Sequence, residues 1–285
     1  MPVKRVGVVG SGIMGSGVAE VAAKAGFEVV LRSRAQQSAD AMVAGLEQSL
    51  AKQVERGRLD DADRAAALER VRAVTDLGEL ADCDLVLESI VEDLATKEEL
   101  FAELDDICGD EAILATNTST LSVTDLAMRT SRPDRVCGIH FFNPAPAMTL
   151  VEVVHTIATS DDTIAAAREF AEACGKTVVD VRDQAGFIVN ALLFPYLNNA
   201  VKMLDDGVAT RDDIDEAMKG GCNFPLGPLA LLDLVGLDTS LSIIESLYDE
   251  FKDPNYAPAP LLKRMVAAQR LGKKSGQGFY DYAKK

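Results

Sequence analysis

Histidine is scarce in this chain: 285 residues hold two, His140 and His155. Basic residues are in deficit as well. Lys and Arg number 29 against 45 Asp and Glu, a formal charge of −16. That balance argues against a nucleic-acid surface and requires any polyanionic ligand to find a local basic patch. The five cysteines, at positions 83, 108, 137, 174 and 222, are odd in number and widely spaced. Such spacing excludes a disulfide framework or a zinc ribbon and fits a reducing cytoplasm, so no metal centre is expected. Long apolar runs are missing too. The longest such stretch, Phe187 to Leu204, is interrupted by Asn190, Pro195, Asn198, Asn199 and Lys202, so no membrane span is expected. The N-terminus enters a strand pattern without the basic and apolar segments of a signal peptide. Internal repeats and low-complexity tracts are not evident. The expectation is a soluble, cytoplasmic globular protein long enough for one large domain or two smaller ones.

What the chain does have is alternation. Its first two-thirds interleave short, nearly continuous apolar runs with amphipathic helical stretches, which predicts a mostly parallel α/β sheet covered on both faces. The expected strands are Arg5 to Val9, Glu28 to Leu31, Leu85 to Glu88, Ile113 to Ala115, Val136 to Ile139, Leu150 to Val154 and Thr177 to Val181. Between the second and third lies an Ala-, Glu-, Arg- and Leu-rich stretch, Ala39 to Val74, read as a helical insertion. After Asp183-Gln184-Ala185-Gly186 the pattern turns helical. One long helix is expected over Phe187 to Asp206 with a kink at Pro195, then a helix capped by Thr210 with Asp213, then Asp238 to Phe251 and Leu261 to Leu271. The predicted domains are 1–184, dinucleotide-binding, and 185–285, all-α. The long helix is apolar on more than one side, which suggests a homodimer through the C-terminal helices.

Gly10, Gly12, Ile13, Met14 and Gly15 belong to a Gly-x-Gly-x-x-Gly between the first strand and an alanine-rich helix. In that context the glycines allow a tight turn, close approach to a pyrophosphate and helix–strand packing, which makes the sheet Rossmann-type. An acid normally follows about twenty residues on, to hold the adenosine ribose. Here the second strand ends in Arg32-Ser33-Arg34, and no carboxylate follows until Asp40. Two guanidiniums and a hydroxyl suit a 2′-phosphate, so NADP(H) is favoured over NAD(H).

The run His140-Phe141-Phe142-Asn143-Pro144-Ala145-Pro146 puts an imidazole at a strand end, and Glu152 follows inside another apolar run. A buried carboxylate is costly unless paired, and the imidazole is a suitable partner that also moves protons near neutral pH. Thr116-Asn117-Thr118-Ser119, His140, Glu152 and Asn190 together resemble the active-site pattern of the 3-hydroxyacyl-CoA dehydrogenase family in type and spacing. The motifs Ala185-Gly186-Phe187-Ile188-Val189-Asn190, Phe224-Pro225-Leu226-Gly227-Pro228 and Gly272-Lys273-Lys274-Ser275-Gly276-Gln277-Gly278-Phe279-Tyr280 extend the resemblance over essentially the whole chain. Within the family it most resembles the short bacterial 3-hydroxybutyryl-CoA dehydrogenases.

The resemblance implies that His140 is the general acid/base, oriented by Glu152, and that Ser119 and Asn190 hydrogen-bond the substrate oxygen. It assigns Glu92, Lys97 and Asn117 to the cofactor, although the charges of Glu92 and Lys97 taken alone read as surface groups near a helix start. It also implies that Ser49 and Arg56 meet the CoA moiety; Lys52 of the same basic stretch is expected to join them, with Arg58, Lys273 and Lys274 adding positive charge. Two positions depart from the family: Ser33 replaces the usual Asp, and Thr149 stands where relatives often carry Lys. His155 matches no role and reads as structural. The rival expectations are the same chemistry on an acyl carrier protein, and a non-enzymatic crystallin-like relative.

Overall fold

A computed structural model describes residues 3–283. The chain divides after Asp183 into two compact units.

The first unit is built as β1 (Arg5–Val9), α1 (Ile13–Lys24), β2 (Glu28–Arg32), α2 (Gln36–Glu55), α3 (Asp61–Glu69), β3 (Val71–Val74), β4 (Leu85–Glu88), α4 (Leu94–Ile107), β5 (Ile113–Thr116), α5 (Val123–Ala127), β6 (Val136–Phe141), β7 (Leu150–His155), α6 (Asp161–Ala173) and β8 (Thr177–Arg182). Its sheet runs β3-β2-β1-β4-β5-β6-β7-β8. Neighbours are parallel from β3 to β6 and again between β7 and β8, while β6 and β7 are antiparallel. Side chains alternate across it. Val6, Val8, Val29 and Leu31 pack with Ala19, Ala22, Met42, Leu46 and Phe170 of α1, α2 and α6, and α4 and α5 cover β5 and β6 with buried Phe101, Leu104, Val123 and Leu126. Capping side chains start the helices where the sequence has Asp or Ser: Asp60 for α3, Asp93 for α4, Ser122 for α5 and Ser160 for α6.

The stretch read as one helical insertion, Ala39 to Val74, is corrected by the structure: it ends in a strand, β3, after α2 and α3. As the edge strand, β3 is only half-buried and carries Arg72 exposed in its middle, so the apolar run that marks a central strand is missing.

The second unit contains α7 (Val189–Asp205), α8 (Arg211–Cys222), α9 (Pro228–Val235), α10 (Leu237–Phe251) and α11 (Pro260–Ala267) around a core that includes Phe194, Leu197, Leu229, Leu232, Leu247 and Leu262. Pro195 lies inside α7, and Thr210 caps α8 by accepting from the Asp213 amide. The last helix ends at Ala267 instead of running to Leu271, because Gln269 turns left-handed at φ 59°. Asn198, fully buried, donates to the Ala257 carbonyl and accepts the Ala259 amide, pinning the chain that leads into α11.

Candidate active site

The strand order changes direction of travel between β1 and β4, which is where an open α/β sheet offers a crevice at its carboxyl ends. The turn after β1 needs bare backbone. Gly10 sits at φ +133°, and a Cβ there would come within 2.3 Å of the Ser89 carbonyl oxygen; a Cβ on Gly15 would come within 2.2 Å of the Gly10 oxygen. Gly12 begins α1 without a side-chain cap, and a Cβ there would meet nothing within 4 Å. The first amides of α1 are thus left for a ligand, as a pyrophosphate requires. Ile13 beside them is 74% exposed and Met14 half-buried.

A cavity of about 490 Å³ opens from this turn, lined by Gly10, Gly12, Ser33, Arg34, Ser89 and Val91 among others. Ser33 is buried at the end of β2 and Arg34 is exposed. The Arg32 guanidinium is tied to the Thr75 carbonyl at 3.2 Å, and burial lowers its pKa. From α4, Glu99 and Glu103 also line the cavity. The bare turn, uncapped helix and adjoining cavity fit a dinucleotide.

The imidazole and the buried carboxylate come together by register. His140 and Glu152 are direct partners across the antiparallel β6–β7 pair, so their side chains share one face. Glu152 is fully buried and its Oε2 lies 2.7 Å from His140 Nδ1; His140 is 3% exposed. From the loop after β5, Ser119 Oγ lies 3.1 Å from His140 Nε2. With Glu152 taking the proton of Nδ1, Nε2 is left as the acceptor of the Ser119 hydroxyl. The Phe142 ring stacks at a tilt on the imidazole, 4.6 Å between centroids. Asn117 uses its side-chain oxygen to accept the Phe141 amide at 2.8 Å, which ties the β5 loop to the end of the histidine strand.

Lys97 departs from the surface reading, while Glu92 stays partly exposed. Lys97 is 1% exposed, and its ammonium lies 2.7 and 2.8 Å from the two oxygens of fully buried Glu88 and 3.1 Å from Glu92. Glu92 is 40% exposed and accepts the Thr118 hydroxyl and the Ser119 amide. Burial acts to raise the pKa of its carboxyl, but the Lys97 charge and these hydrogen bonds outweigh it and hold the carboxyl below the ordinary range. Sequence reasoning gave Glu88 no role. The signal was there, since Leu85-Val86-Leu87-Glu88 ends an apolar run in a carboxylate just as the Glu152 strand contains one.

The residues implied for CoA lie on and just after α2. Lys52 and Arg56 are exposed, while the Ser49 hydroxyl donates to Glu20 of α1 at 2.6 Å and helps dock α2 on α1. Asn190 is buried in the first turn of α7, in the second unit. His155 ends β7, where its carbonyl accepts the Asp183 amide. Lys176, also missed, bonds the Ala145 and Met148 carbonyls at 2.7 Å each and holds the loop between β6 and β7. Nothing in the Lys176 neighbourhood of the sequence signals that role. Among the described residues no cluster of His, Cys, Asp and Glu is arranged for a metal ion, and no helix is long and apolar enough to cross a membrane.

Residues 5–184 match the family model described as "3-hydroxyacyl-CoA dehydrogenase, NAD binding domain", and residues 186–282 match "3-hydroxyacyl-CoA dehydrogenase, C-terminal domain". A 3-hydroxybutyryl-CoA dehydrogenase of Mycobacterium tuberculosis H37Rv is 48% identical over 282 residues, 98% of this chain and 99% of that one. One from Clostridioides difficile is 47% identical over 280 residues, 98% of this chain and 100% of that one. The crystal structure of (S)-3-hydroxybutyryl-CoA dehydrogenase PaaH1 from Ralstonia eutropha superposes with a TM-score of 0.96 at 43% identity, covering 99% of this chain and 100% of that one.

Proposed function

Since the chain belongs to the 3-hydroxyacyl-CoA dehydrogenase family, we propose that its substrate pair is 3-hydroxybutyryl-CoA and acetoacetyl-CoA and that His140 is its general acid/base. The observation that carries the reading is the hydrogen-bonded series Ser119–His140–Glu152, in the unit that also carries the glycine turn. A bound nicotinamide supplies the hydride acceptor for oxidation and the hydride donor for reduction. In oxidation His140 Nε2 takes the proton of the 3-hydroxyl as the C3–H bond breaks and the carbonyl forms. Glu152, bonded to Nδ1, fixes the tautomer and stabilises the imidazolium. In reduction the same imidazolium returns the proton to the carbonyl oxygen. Ser119 hydrogen-bonds that oxygen as its charge changes.

The cofactor is proposed to be NADP(H) in preference to NAD(H). Ser33 and exposed Arg34 line the cavity where a 2′-phosphate would lie, and β2 ends without an acid to repel it. Exposed Lys52 and Arg56 are proposed to meet the CoA phosphates. The second unit carries exposed Leu192, Met203 and Val208 on and after α7, which supports a homodimer through these helices.

Initial rates of acetoacetyl-CoA reduction with NADPH and with NADH test the reading. Faster turnover with NADPH is the expected result. Preference for NADH would overturn the cofactor proposal alone, and turnover only with a carrier-linked acetoacetyl group would overturn the substrate proposal.

A further inference from the structure

Glu20 is a buried carboxylate that none of the roles above uses. It is 4% exposed and stands in the middle of α1 among Val18, Ala19, Val21, Ala22 and Ala23, all buried. A carboxylate among apolar neighbours is costly unless its oxygens are satisfied. Both of them are bonded to α2. Oε2 accepts the Ser49 hydroxyl at 2.6 Å, and Oε1 accepts the Gln53 side-chain amide at 2.7 Å. The Gln53 oxygen in turn accepts a hydrogen bond from Lys24 Nζ at 2.6 Å. Glu20 and Lys24 lie one turn apart on α1, and Ser49 and Gln53 one turn apart on α2, which makes the bonds a ladder between the two helices. The other buried residues of α2, Ala39, Met42, Leu46 and Leu50, are apolar. Apolar burial is non-directional and by itself leaves a helix free to rotate, whereas hydrogen bonds to two placed oxygens select one rotation. Exposed Lys52 and Arg56 form the next stripe around α2 beside Ser49 and Gln53.

We propose that Glu20 is a positioning residue for substrate binding: it fixes the rotation of α2 and so turns the Lys52–Arg56 stripe toward the phosphates of the CoA thioester. A loosely rotating α2 would present the same charges in many orientations, so the loss falls on binding and not on the hydride step. As donor to Glu20, the Ser49 hydroxyl keeps its lone pairs for a ligand N–H or O–H, and docking and ligand contact are compatible there. The inference rests on the CoA reading of Lys52 and Arg56 above.

Rates with two thioesters test it: acetoacetyl-CoA, and acetoacetyl-N-acetylcysteamine, which has the reacting acyl group but no phosphates. Both are run at a saturating level of the nicotinamide that the rate comparison above selects. Glu20→Ala is expected to raise KM for acetoacetyl-CoA about tenfold with kcat within about threefold, and to leave kcat/KM for the short thioester within about threefold. Glu20→Gln is expected to stay within about twofold of the native enzyme on both, because its amide can accept from Gln53 and donate to Ser49. When Lys52 and Arg56 are already Ala, adding Glu20→Ala is expected to change KM less than about twofold, since the stripe it orients is gone. Glu20→Ala leaves the Ser49 and Gln53 donors without their acceptor, so Gln53→Ala, at a half-buried position, is run through the same cycle and must show the same pattern at about threefold. Equal losses on both thioesters, or equal losses with and without Lys52 and Arg56, mark a purely structural role and overturn the proposal. A raised KM in the Lys52→Ala, Arg56→Ala enzyme beside an unchanged KM in Glu20→Ala overturns the positioning role alone. An unchanged KM without Lys52 and Arg56 overturns the CoA reading of that stripe and the proposal with it, and no turnover of acetoacetyl-CoA by the unaltered enzyme overturns the functional reading itself.

Discussion

Glu152 and Asp233 are both fully buried, one in each unit, yet they are held by different kinds of partner. Glu152 faces an imidazole, a group that gains and loses a proton near neutral pH. Asp233 accepts the amides of Phe279 and Tyr280 and the Tyr282 hydroxyl, donors whose charge does not change in that range. Its neighbour Asp215 does likewise with the amides of Leu229 and Ala230 and the Tyr280 hydroxyl. In the first unit a buried acid pairs with an imidazole. In the second, buried acids tie segments distant in sequence, the C-terminal residues 279–282 to α9 and the start of α9 to α8. Burial of a carboxylate is thus no sign of chemistry until the partner is named.

The sharpest way to break this comparison is to remove each acid and read both activity and stability. Glu152→Gln is expected to lower kcat by about 100- to 10,000-fold, the range for general acid–base groups, with little change in unfolding temperature. Asp233→Ala is expected to leave kcat per folded molecule unchanged but to cost about 3 kcal/mol of stability, since buried amides and a hydroxyl lose their acceptor. Denaturant unfolding and steady-state rates on the same preparations decide, and a large activity loss in Asp233→Ala would dissolve the distinction.

A new acid in the first unit sharpens it from another side. Ser33→Asp places a carboxylate at the end of β2 and is expected to shift the ratio of kcat/KM with NADPH to that with NADH about tenfold toward NADH. An unchanged ratio would remove Ser33 from the 2′-phosphate site.

The smallest effect is in acid stability, where the two units are expected to slope oppositely. The pKa of Glu92 is depressed, so its contribution is present above the ordinary Glu value and lost as pH falls through the lower folded value. The pKa of Asp233 is raised, chiefly by burial against the opposing hydrogen bonds, so its contribution is full below the ordinary Asp value and lost as pH rises through the higher folded value. Unfolding temperatures across the carboxylate titration range are expected to show the advantage of the native protein over Glu92→Gln growing with pH, and over Asp233→Asn shrinking. Parallel slopes would refute the assignment.

Much of this was legible in the chain. Central strands such as Val136–Phe141 are buried throughout and announce themselves as apolar runs, whereas β3, half-exposed at the sheet edge, does not. Glu152 was legible because a carboxylate in an apolar run must find a partner, and His140 stands close enough in sequence to be it. Lys97 was not. Its burial is decided by Glu88 across the β4–α4 turn, and an isolated Lys near a helix start carries no mark of a partner nine positions back. Ser49 was read as a ligand contact, while its hydroxyl is engaged by Glu20, 29 positions earlier on another helix. What the sequence hides is pairing between elements, and that is fixed only when the sheet is assembled.

His140 and Glu152 stand twelve positions apart on the antiparallel pair of an otherwise parallel run of strands. Antiparallel neighbours need only a short connection, while parallel neighbours wait for a crossover. His140 and Glu152 therefore travel as one contiguous cassette, residues 136–155, closed by its own loop. A recombination event or a designer moving that block into another sheet would transfer the pair intact. The hydroxyl at Ser119 would have to be invented afresh in the host.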